Sequence, residues 1–330
     1  MKDLARELGV SVATVSRALK GSNEIGEPLR QRVCKLASER DYHPNPFAQS
    51  LRKGAPKLIG VIVPNIVTHF NSGVIAGIED RARQEGYSVI CANSHEQWKD
   101  EVMDVDNLVS FHVDGIIACL AQDTTDYSHF QTLHKINKPV VFFARTCLPE
   151  FFSSVVSDGV AGAYQATEHL LSVGCRRIAF IGGPNHLDMV KRRKHGYLEA
   201  LHDARLPIDR SLVCCAPISF DNAYQSMCAL LDLPERPDGV IAVNHTLIYG
   251  AMKAIKDHSL QMPADIRLAG FSDAQEVQYL SPPITTIEDQ AHLMGERACQ
   301  LLLDSIRGSS VISHEVIPMH VIIRQSSESK

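Results

Sequence analysis

The first residues with distinctive chemistry lie in the run KDLARELGVSVATVSRALKG, from Lys2 to Gly21. The pattern predicts a helix with four outward-facing residues, Val12, Ala13, Ser16 and Arg17. The Arg17 guanidinium could donate two hydrogen bonds to a guanine edge, and Val12 and Ala13 could contact a thymine methyl group. This order of short and long side chains suits a recognition helix whose N-terminal part enters the major groove of DNA.

Three short helices must position that outer face. The first helix carries one apolar stripe, formed by Leu4, Ala5 and Leu8. Gly9 is a natural left-handed terminator for it, because glycine has no Cβ. Ser11 is placed to N-cap the second helix, where Ser11, Thr14 and the free amides suit DNA phosphates. A third helix is predicted from Pro28, which is favourable at a helix start, to about Arg40.

The charge balance supports this interpretation. Residues 1–55 contain ten Lys and Arg against six Asp and Glu, a net charge of +4, which leaves −9 for the remainder of a chain of net charge −5. Neutralisation of phosphates supplies most non-specific DNA affinity, so a basic head on an acidic body fits a DNA-binding head.

From Lys57 onward, short apolar runs rich in β-branched residues alternate with helical periods. Such strands indicate parallel sheets covered on both faces, and their number favours two similar α/β lobes. The predicted strands are Leu58–Pro64, Ser88–Ala92, Gly115–Leu120, Pro139–Ala144, Ser154–Val156, Ile178–Gly182, Leu212–Ala216, Gly239–Val243, Arg267–Gly270, Thr285–Ile287 and a run near Val316–Ile323.

Open parallel sheets bind ligands beyond the carboxyl ends of their strands. Candidate ligand residues are therefore those that follow the predicted strands, namely residues 65–70 with His69 and Phe70, Asn93, Arg145, the turn at residues 182–184, Phe220, Asn244, His245, Ser272 and Asp273. The Phe220 ring would offer a flat apolar face to a ligand, and the Asn244 amide pairs a donor with an acceptor. Each residue taken singly also has an ordinary structural explanation, such as capping a turn.

Several motifs resemble the lactose-repressor (LacI/GalR) family of bacterial transcription regulators. They run along the whole chain and are VSVATVSRAL (residues 10–19), YHPN (42–45), AxxL (48–51), LIGVIVP (58–64), GYLEAL (196–201), GAMKAI (250–255) and PPITTI (282–287). The resemblance implies a small all-α helix-turn-helix head and a hinge helix. It also implies an α/β body of two parallel-sheet lobes, similar to periplasmic binding proteins.

The resemblance also assigns domains and DNA contacts. It implies a DNA-binding domain at 1–44, a hinge helix and linker at 45–56, and an effector-binding and dimerisation domain at 57–330. The N-lobe is expected at about 57–157 and 288–318, and the C-lobe at about 158–287 and 319–330. The further residues expected to contact DNA are Tyr42, His43, Asn45, Ala48 and Leu51. Leu51 would wedge into the minor groove at the centre of a palindromic operator, where a leucine can kink the duplex.

In the ligand site, the resemblance places Arg145, Arg193, Phe220 and Asn244 at positions that commonly touch a sugar. Family members often carry acids where this chain has Ala144, His245 and Ser272. Their replacement beside Arg145, Arg193 and Lys191 favours a positive pocket. We therefore expect an anionic or modified saccharide, such as a uronate or a sugar phosphate, held by charge-assisted hydrogen bonds.

Three classes of function remain to be compared. The first is a homodimeric, ligand-gated repressor of carbohydrate genes, whose two-fold symmetry matches a palindromic operator. The second is an exported sugar-binding protein, which the basic head and the lack of a charged-then-apolar leader disfavour. The third is an enzyme, but no nucleophile, phosphate-loop, dinucleotide or zinc-protease motif is present.

The remaining expectations concern partners and compartment. Nine cysteines without metal-ligand spacing indicate reduced thiols in a cytoplasmic protein, with no metal site and no cofactor. The sequence contains no run of eighteen apolar residues, so no membrane span is predicted. Since the chain ends VIIRQSSESK, with no heptad pattern, a dimer is favoured over a tetramer.

Overall fold

The computed structural model describes residues 1–19, 21–42 and 57–328. It divides the chain into two compact units, Met1–Pro56 and Lys57–Lys330, which are considered one at a time. The predicted hinge helix and four of the predicted DNA contacts, His43, Asn45, Ala48 and Leu51, lie outside the described residues.

The described part of the first unit contains three helices, α1 (Lys2–Leu8), α2 (Val12–Leu19) and α3 (Glu27–Glu39). Gly9 ends α1 with a φ of 65°, the left-handed conformation that glycine adopts without a Cβ clash. The small core of the unit is formed by Leu4, Ala5, Val15, Ala18, Val33 and Ala37. These helices confirm the predicted helix-turn-helix, and α3 begins and ends one residue earlier than predicted.

The second unit alternates strands and helices. Its strands are β1 (Leu58–Val63), β2 (Ser88–Asn93), β3 (Gly115–Ala118), β4 (Val140–Phe143), β5 (Ser153–Ser157), β6 (Ile178–Gly182), β7 (Val213–Cys215), β8 (Gly239–Ala242), β9 (Arg267–Phe271), β10 (Thr285–Glu288), β11 (His314–Ile317) and β12 (His320–Ile322). Its α-helices are α4 (His69–Gln84), α5 (Trp98–Ser110), α6 (Ser128–Lys135), α7 (Gly159–Ser172), α8 (Asp188–Asp203), α9 (Phe220–Leu231), α10 (His245–Asp257) and α11 (Ala291–Ile306). No helix within the described ranges is long and apolar enough to span a membrane.

The strands form two six-stranded sheets with matching topology. The first sheet has the order β11-β5-β4-β3-β1-β2 and the second has the order β12-β10-β9-β8-β6-β7. We call the parts built on them the first lobe and the second lobe. In both lobes the strand order reverses beside the first strand, at β1 and β3 and again at β6 and β8. A ligand crevice is expected at such a switch point.

Near the end of the chain, one predicted strand is wrong. The run near Val316–Ile323 is two strands, because the chain leaves the first sheet after Ile317 and joins the second at His320. β11 pairs parallel with β5, whereas β12 pairs antiparallel with β10. The chain also passes between the sheets after Ser157 and after Glu288, so three crossings connect the lobes.

The packing of α11 on α4 holds the second crossing in place. α11 returns to the first lobe and packs on α4 at a backbone distance that only glycine allows. A Cβ on Gly77 would lie 2.0 Å from the His292 carbonyl oxygen, and one on Gly295 would lie 2.0 Å from the Val74 carbonyl oxygen. This close packing fixes the start of α11, and with it Asp289, at the edge of the cleft between the lobes.

Candidate functional site

The outer face of α2 carries most of the predicted base-reading residues. Val12, Ala13 and Arg17 are exposed, as predicted. The Ser11 hydroxyl accepts a hydrogen bond from the Thr14 backbone N–H at 3.1 Å, which is the expected N-cap. Arg17 Nη1 lies 3.1 Å from Glu24 Oε2, so the guanidinium is oriented by a neighbouring carboxylate.

Two other predicted DNA contacts have a different setting. The prediction that Ser16 faces outward is wrong, because its small side chain follows Val15 at the border of the inner face and is 8% exposed. Tyr42 is half-buried and packs against the core of the first unit. Its backbone N–H donates to the Ala37 carbonyl at 2.8 Å, which holds the residues just after α3 against that helix.

A cleft of the second unit lies between the two lobes, at the carboxyl ends of both sheets. The first lobe contributes Pro64, Asn65, residues 68–71, Glu96, Cys119, Ala144, Arg145 and the Val156–Ser157 pair. The second lobe and the crossings contribute Gly159, Asp188, Met189, Arg192, Arg193, Ile218, residues 244–246, residues 271–274 and Asp289. Most of the ligand residues predicted from strand ends therefore meet in one place.

Arg145 is buried in the first lobe and holds a bidentate ion pair with Glu96. Its Nη1 lies 2.6 Å from Glu96 Oε2, and its Nη2 lies 3.1 Å from Glu96 Oε1. Burial disfavours the charged guanidinium, but Glu96 more than compensates, and the pKa of Arg145 is raised. Glu96 and Ala144 both have left-handed backbone conformations, with φ of 60° and 54°, so local strain accompanies this geometry.

Arg193 is the matching buried cation of the second lobe. Its Nη2 donates to Asp289 Oδ1 at 2.7 Å, and its Nη1 donates to the Val243 carbonyl oxygen. The guanidinium carbon lies 3.9 Å from the centre of the Phe271 ring, within cation–π range. Since Asp289 lies in the second crossing, this pair links the wall of the cleft to the connection between the lobes.

The expectation of a positive pocket is wrong for the described residues. Each of the three arginines in the cleft lining pairs with a carboxylate, since Arg192 Nε also lies 2.6 Å from Asp188 Oδ2. The carboxylates that pair with these arginines are Glu96, Asp188 and Asp289, and none of them is at position 144, 245 or 272, where the family resemblance implies acids. Lys191 is exposed and does not line the cleft.

Three buried polar atoms of the cleft residues have no hydrogen-bond partner within the described part of the chain. They are Asn71 Oδ1, Ser157 Oγ and Arg193 Nε. Burying such a group without a partner costs free energy, so these atoms are suited to a ligand. Together they offer an acceptor, a hydroxyl that both donates and accepts, and a donor. Neither Asn71 nor Ser157 was predicted as a ligand residue.

Several other predicted ligand residues make contacts within the protein. His69 Nε2 lies 2.7 Å from Glu276 Oε1, which joins α4 to the second lobe. Asn244 Oδ1 caps α10 by accepting from the Leu247 N–H at 2.9 Å. Ser272 is buried, and its hydroxyl accepts from the Ala274 N–H. Burial, and then the nearby His69, lower the pKa of His245.

Three of the predicted ligand elements are not in the cleft lining, namely Asn93, the turn at residues 182–184 and Phe220. Phe220 shows why. It is the first residue of α9 and is 43% exposed, since β7 ends at Cys215 and Ser219 already caps the helix. The neighbouring Ile218 lines the cleft instead. Phe70, from the first lobe, also lines the cleft and lies 6.4 Å from Phe143, measured between ring centroids.

Asp273 joins the second lobe to the start of α11. Its two carboxylate oxygens accept from the Asp289 N–H at 2.6 Å and the Ala291 N–H at 2.9 Å. Burial and the neighbouring Asp289 nevertheless raise the pKa of Asp273 to about 6. Because the folded-state pKa is raised, the stability contributed by this carboxyl is present at low pH and is lost as the pH rises through about 6.

Asp273→Asn is therefore expected to flatten the pH dependence of stability. Between pH 4 and pH 7 the free energy of unfolding of the wild type should fall by about 2 kcal/mol relative to the variant. Urea denaturation at several pH values measures this difference. A difference that is constant across this range would contradict the assignment.

Comparisons with known proteins agree with both units. Residues 1–45 match the model for bacterial regulatory proteins of the lacI family, and residues 167–327 match the periplasmic binding protein-like domain. The chain is 31% identical to the HTH-type transcriptional repressor CytR of Escherichia coli K12, over 100% of this chain and 96% of that protein. It is 34% identical to the ribose operon repressor of Bacillus subtilis 168, over 93% of this chain and 91% of that protein.

A solved structure shows the same fold over nearly the full length. The lac repressor dimer bound to operator and the anti-inducer ONPF matches with a TM-score of 0.83 and 25% identity, covering 98% of both chains. The helix-turn-helix, the paired six-stranded sheets and these relatives lead to one conclusion. The chain belongs to the LacI family of DNA-binding transcription repressors.

Proposed function

We propose that the chain is a homodimeric repressor whose operator affinity is set by a neutral, hydroxyl-rich ligand bound between the lobes, with D-ribose as the first candidate. The observation that supports this proposal most strongly is that each arginine of the cleft lining is paired with a carboxylate of the same lining. An anionic ligand would have to compete with Glu96, Asp188 and Asp289 for the three guanidinium groups. Sugar hydroxyls can instead both donate and accept, as the unpartnered atoms of Asn71, Ser157 and Arg193 require.

The apolar part of the lining supports the same ligand class. Phe70 and Ile218, from opposite lobes, offer apolar surface of the kind that a sugar ring can contact. Asp273, Asn244 and His245 add polar groups at the ends of the second-lobe strands. The similarity to a ribose operon repressor makes a pentose the natural first test.

The regulatory mechanism follows from differential binding. A ligand that contacts both lobes stabilises their closed arrangement over an open one, and only such a difference can shift the equilibrium between two states. A two-fold dimer presents two recognition helices to a palindromic operator, with Val12, Ala13 and Arg17 on the base-reading face and Ser11 and Thr14 near phosphates. Sedimentation equilibrium that gives a monomer at micromolar concentration would contradict the dimer.

Calorimetric titration distinguishes the neutral ligand from its charged analogue. D-ribose is expected to bind at least about tenfold more tightly than D-ribose 5-phosphate, because the phosphate finds no unpaired cation and meets carboxylates. Equal or tighter binding of the phosphate would contradict the assignment of a neutral ligand.

A further inference from the structure

Gln122 lies in the segment between β3 and α6 of the first lobe and makes two hydrogen bonds to the second lobe. Its side-chain Oε1 accepts from the Ile218 backbone N–H at 2.8 Å. Its backbone carbonyl accepts from His186 Nε2 at 2.7 Å. The other cross-lobe pair noted above, His69–Glu276, has both side chains about half exposed, and exposed ion pairs contribute little.

The same residue also contacts the buried pair that faces the ligand cleft. The Gln122 backbone N–H donates to Glu96 Oε2 at 2.8 Å, the oxygen that also accepts from Arg145 Nη1. Arg145 Nη1 donates in addition to the Leu120 carbonyl at 3.0 Å. Any movement of the Arg145–Glu96 pair is thus transmitted to Gln122 through direct hydrogen bonds.

A fully buried carboxylate anchors the segment that carries Gln122. Glu101 accepts from the Ala121 N–H at 2.6 Å, from the Thr124 hydroxyl at 3.0 Å and from His129 Nε2 at 2.9 Å. Removing one partner from such a buried network leaves the others unsatisfied, so the network resists rearrangement. The segment that carries Gln122 is therefore fixed to the first lobe. Its hydrogen bonds to the second lobe depend on how the two lobes are placed relative to each other.

We propose that Gln122 is the positioning residue that couples the state of the Arg145–Glu96 pair to closure of the lobes. This inference rests on the proposed function only in taking closure as the regulatory event. A ligand that alters the hydrogen bonds of Glu96 moves the backbone N–H of Gln122. The Gln122 side chain moves with it, and this changes its hydrogen bond to Ile218 in the opposite lobe.

The test follows hydrogen exchange of the Ile218 amide at residue resolution in the full chain without ligand. Gln122→Met removes the acceptor at similar volume and is expected to accelerate this exchange about fivefold. Gln122→Glu keeps an acceptor oxygen and should leave the exchange close to wild type. Gln131→Ala, an exposed glutamine on α6 in the same lobe, is the matched control and should have no effect.

Coupling is tested by adding Glu96→Gln, which weakens the pair with Arg145; the Glu96 carboxylate accepts hydrogen bonds from Gln122 and Arg145, both in the first lobe. Glu96→Gln should accelerate exchange at Ile218 about threefold, and the double variant should exchange no faster than Gln122→Met, because the two changes act through one contact.

Amides of β3 serve as the internal reference for global unfolding. Equal acceleration at β3 and Ile218, no acceleration in Gln122→Met, or additive effects of the two substitutions would each overturn the proposal. Since the measurement needs no ligand, a failure of D-ribose to bind would count against the proposed function and leave this result unaffected.

Discussion

Replacing Arg193 with alanine is expected to reduce affinity for the cleft ligand at least about 100-fold and to lower the free energy of unfolding by about 3–5 kcal/mol. The guanidinium pairs with Asp289, donates to the Val243 carbonyl and covers Phe271. Its removal leaves the Asp289 carboxylate buried without its cation and removes the unpartnered Nε donor from the cleft. Calorimetry measures the affinity, and urea denaturation measures the stability.

A double variant separates the two effects. Arg193→Met combined with Asp289→Asn removes both charges, so most of the lost stability should return, whereas ligand affinity should stay low. Arg193→Lys should be intermediate, because lysine keeps the charge but not the planar fork. If the alanine variant bound the sugar as tightly as the wild type, Arg193 would not be a ligand contact.

Arg17→Ala is expected to weaken binding to the preferred palindromic duplex about 10- to 100-fold and to relax the sequence preference at one base pair in each half-site. A bidentate contact to guanine is worth about 1–3 kcal/mol of discrimination. Affinity for random duplex DNA should change much less, since only one charge is lost. Fluorescence anisotropy with both duplexes measures the two effects.

The partner of Arg17 provides the control for this prediction. Glu24→Gln frees the guanidinium from its ion pair and removes a negative charge, so affinity for random DNA should rise slightly while specific binding persists. If Arg17→Ala weakened binding to both duplexes equally, Arg17 would be a phosphate contact and the assigned base-reading role would be wrong.

The architecture was predictable because its signals are local. Apolar β-branched runs fix the strands of a parallel sheet, and most predicted strand ends agree with the structure within one or two residues. The exception is informative. The run near Val316–Ile323 is apolar except for His320. The change of sheet at Pro318 and Met319 depends on two different sheets being adjacent, which a local sequence pattern does not indicate.

The positions of the ligand residues were also largely predictable, but the charge of the site was not. Arg145, Asn244 and Ser272 follow strands and reach the cleft as expected. Glu96 reaches Arg145 through a turn in which His95 and Glu96 both have positive φ, a conformation that sequence periodicity does not indicate. Asp289 lies in the second crossing, just before α11, and it neutralises a residue 96 positions away in the sequence.

Phe220 and Ser16 show a different limit of sequence analysis. For Phe220, the side-chain type suggested sugar stacking, but the N-cap at Ser219 turns it into the start of α9 and away from the cleft lining. For Ser16, helical periodicity places the residue at a border, where burial depends on the size of its neighbours. Both outcomes depend on packing between elements.

The most direct test of the account is the effect of a sugar on operator binding. A palindromic duplex selected from a random pool by the full chain is titrated by fluorescence anisotropy with and without saturating D-ribose. We expect a selected consensus with two-fold symmetry, and a change of at least about tenfold in operator Kd on adding the sugar. Failure to select a consensus, or an operator Kd that is unchanged by D-ribose when calorimetry shows that D-ribose is bound, would contradict the account.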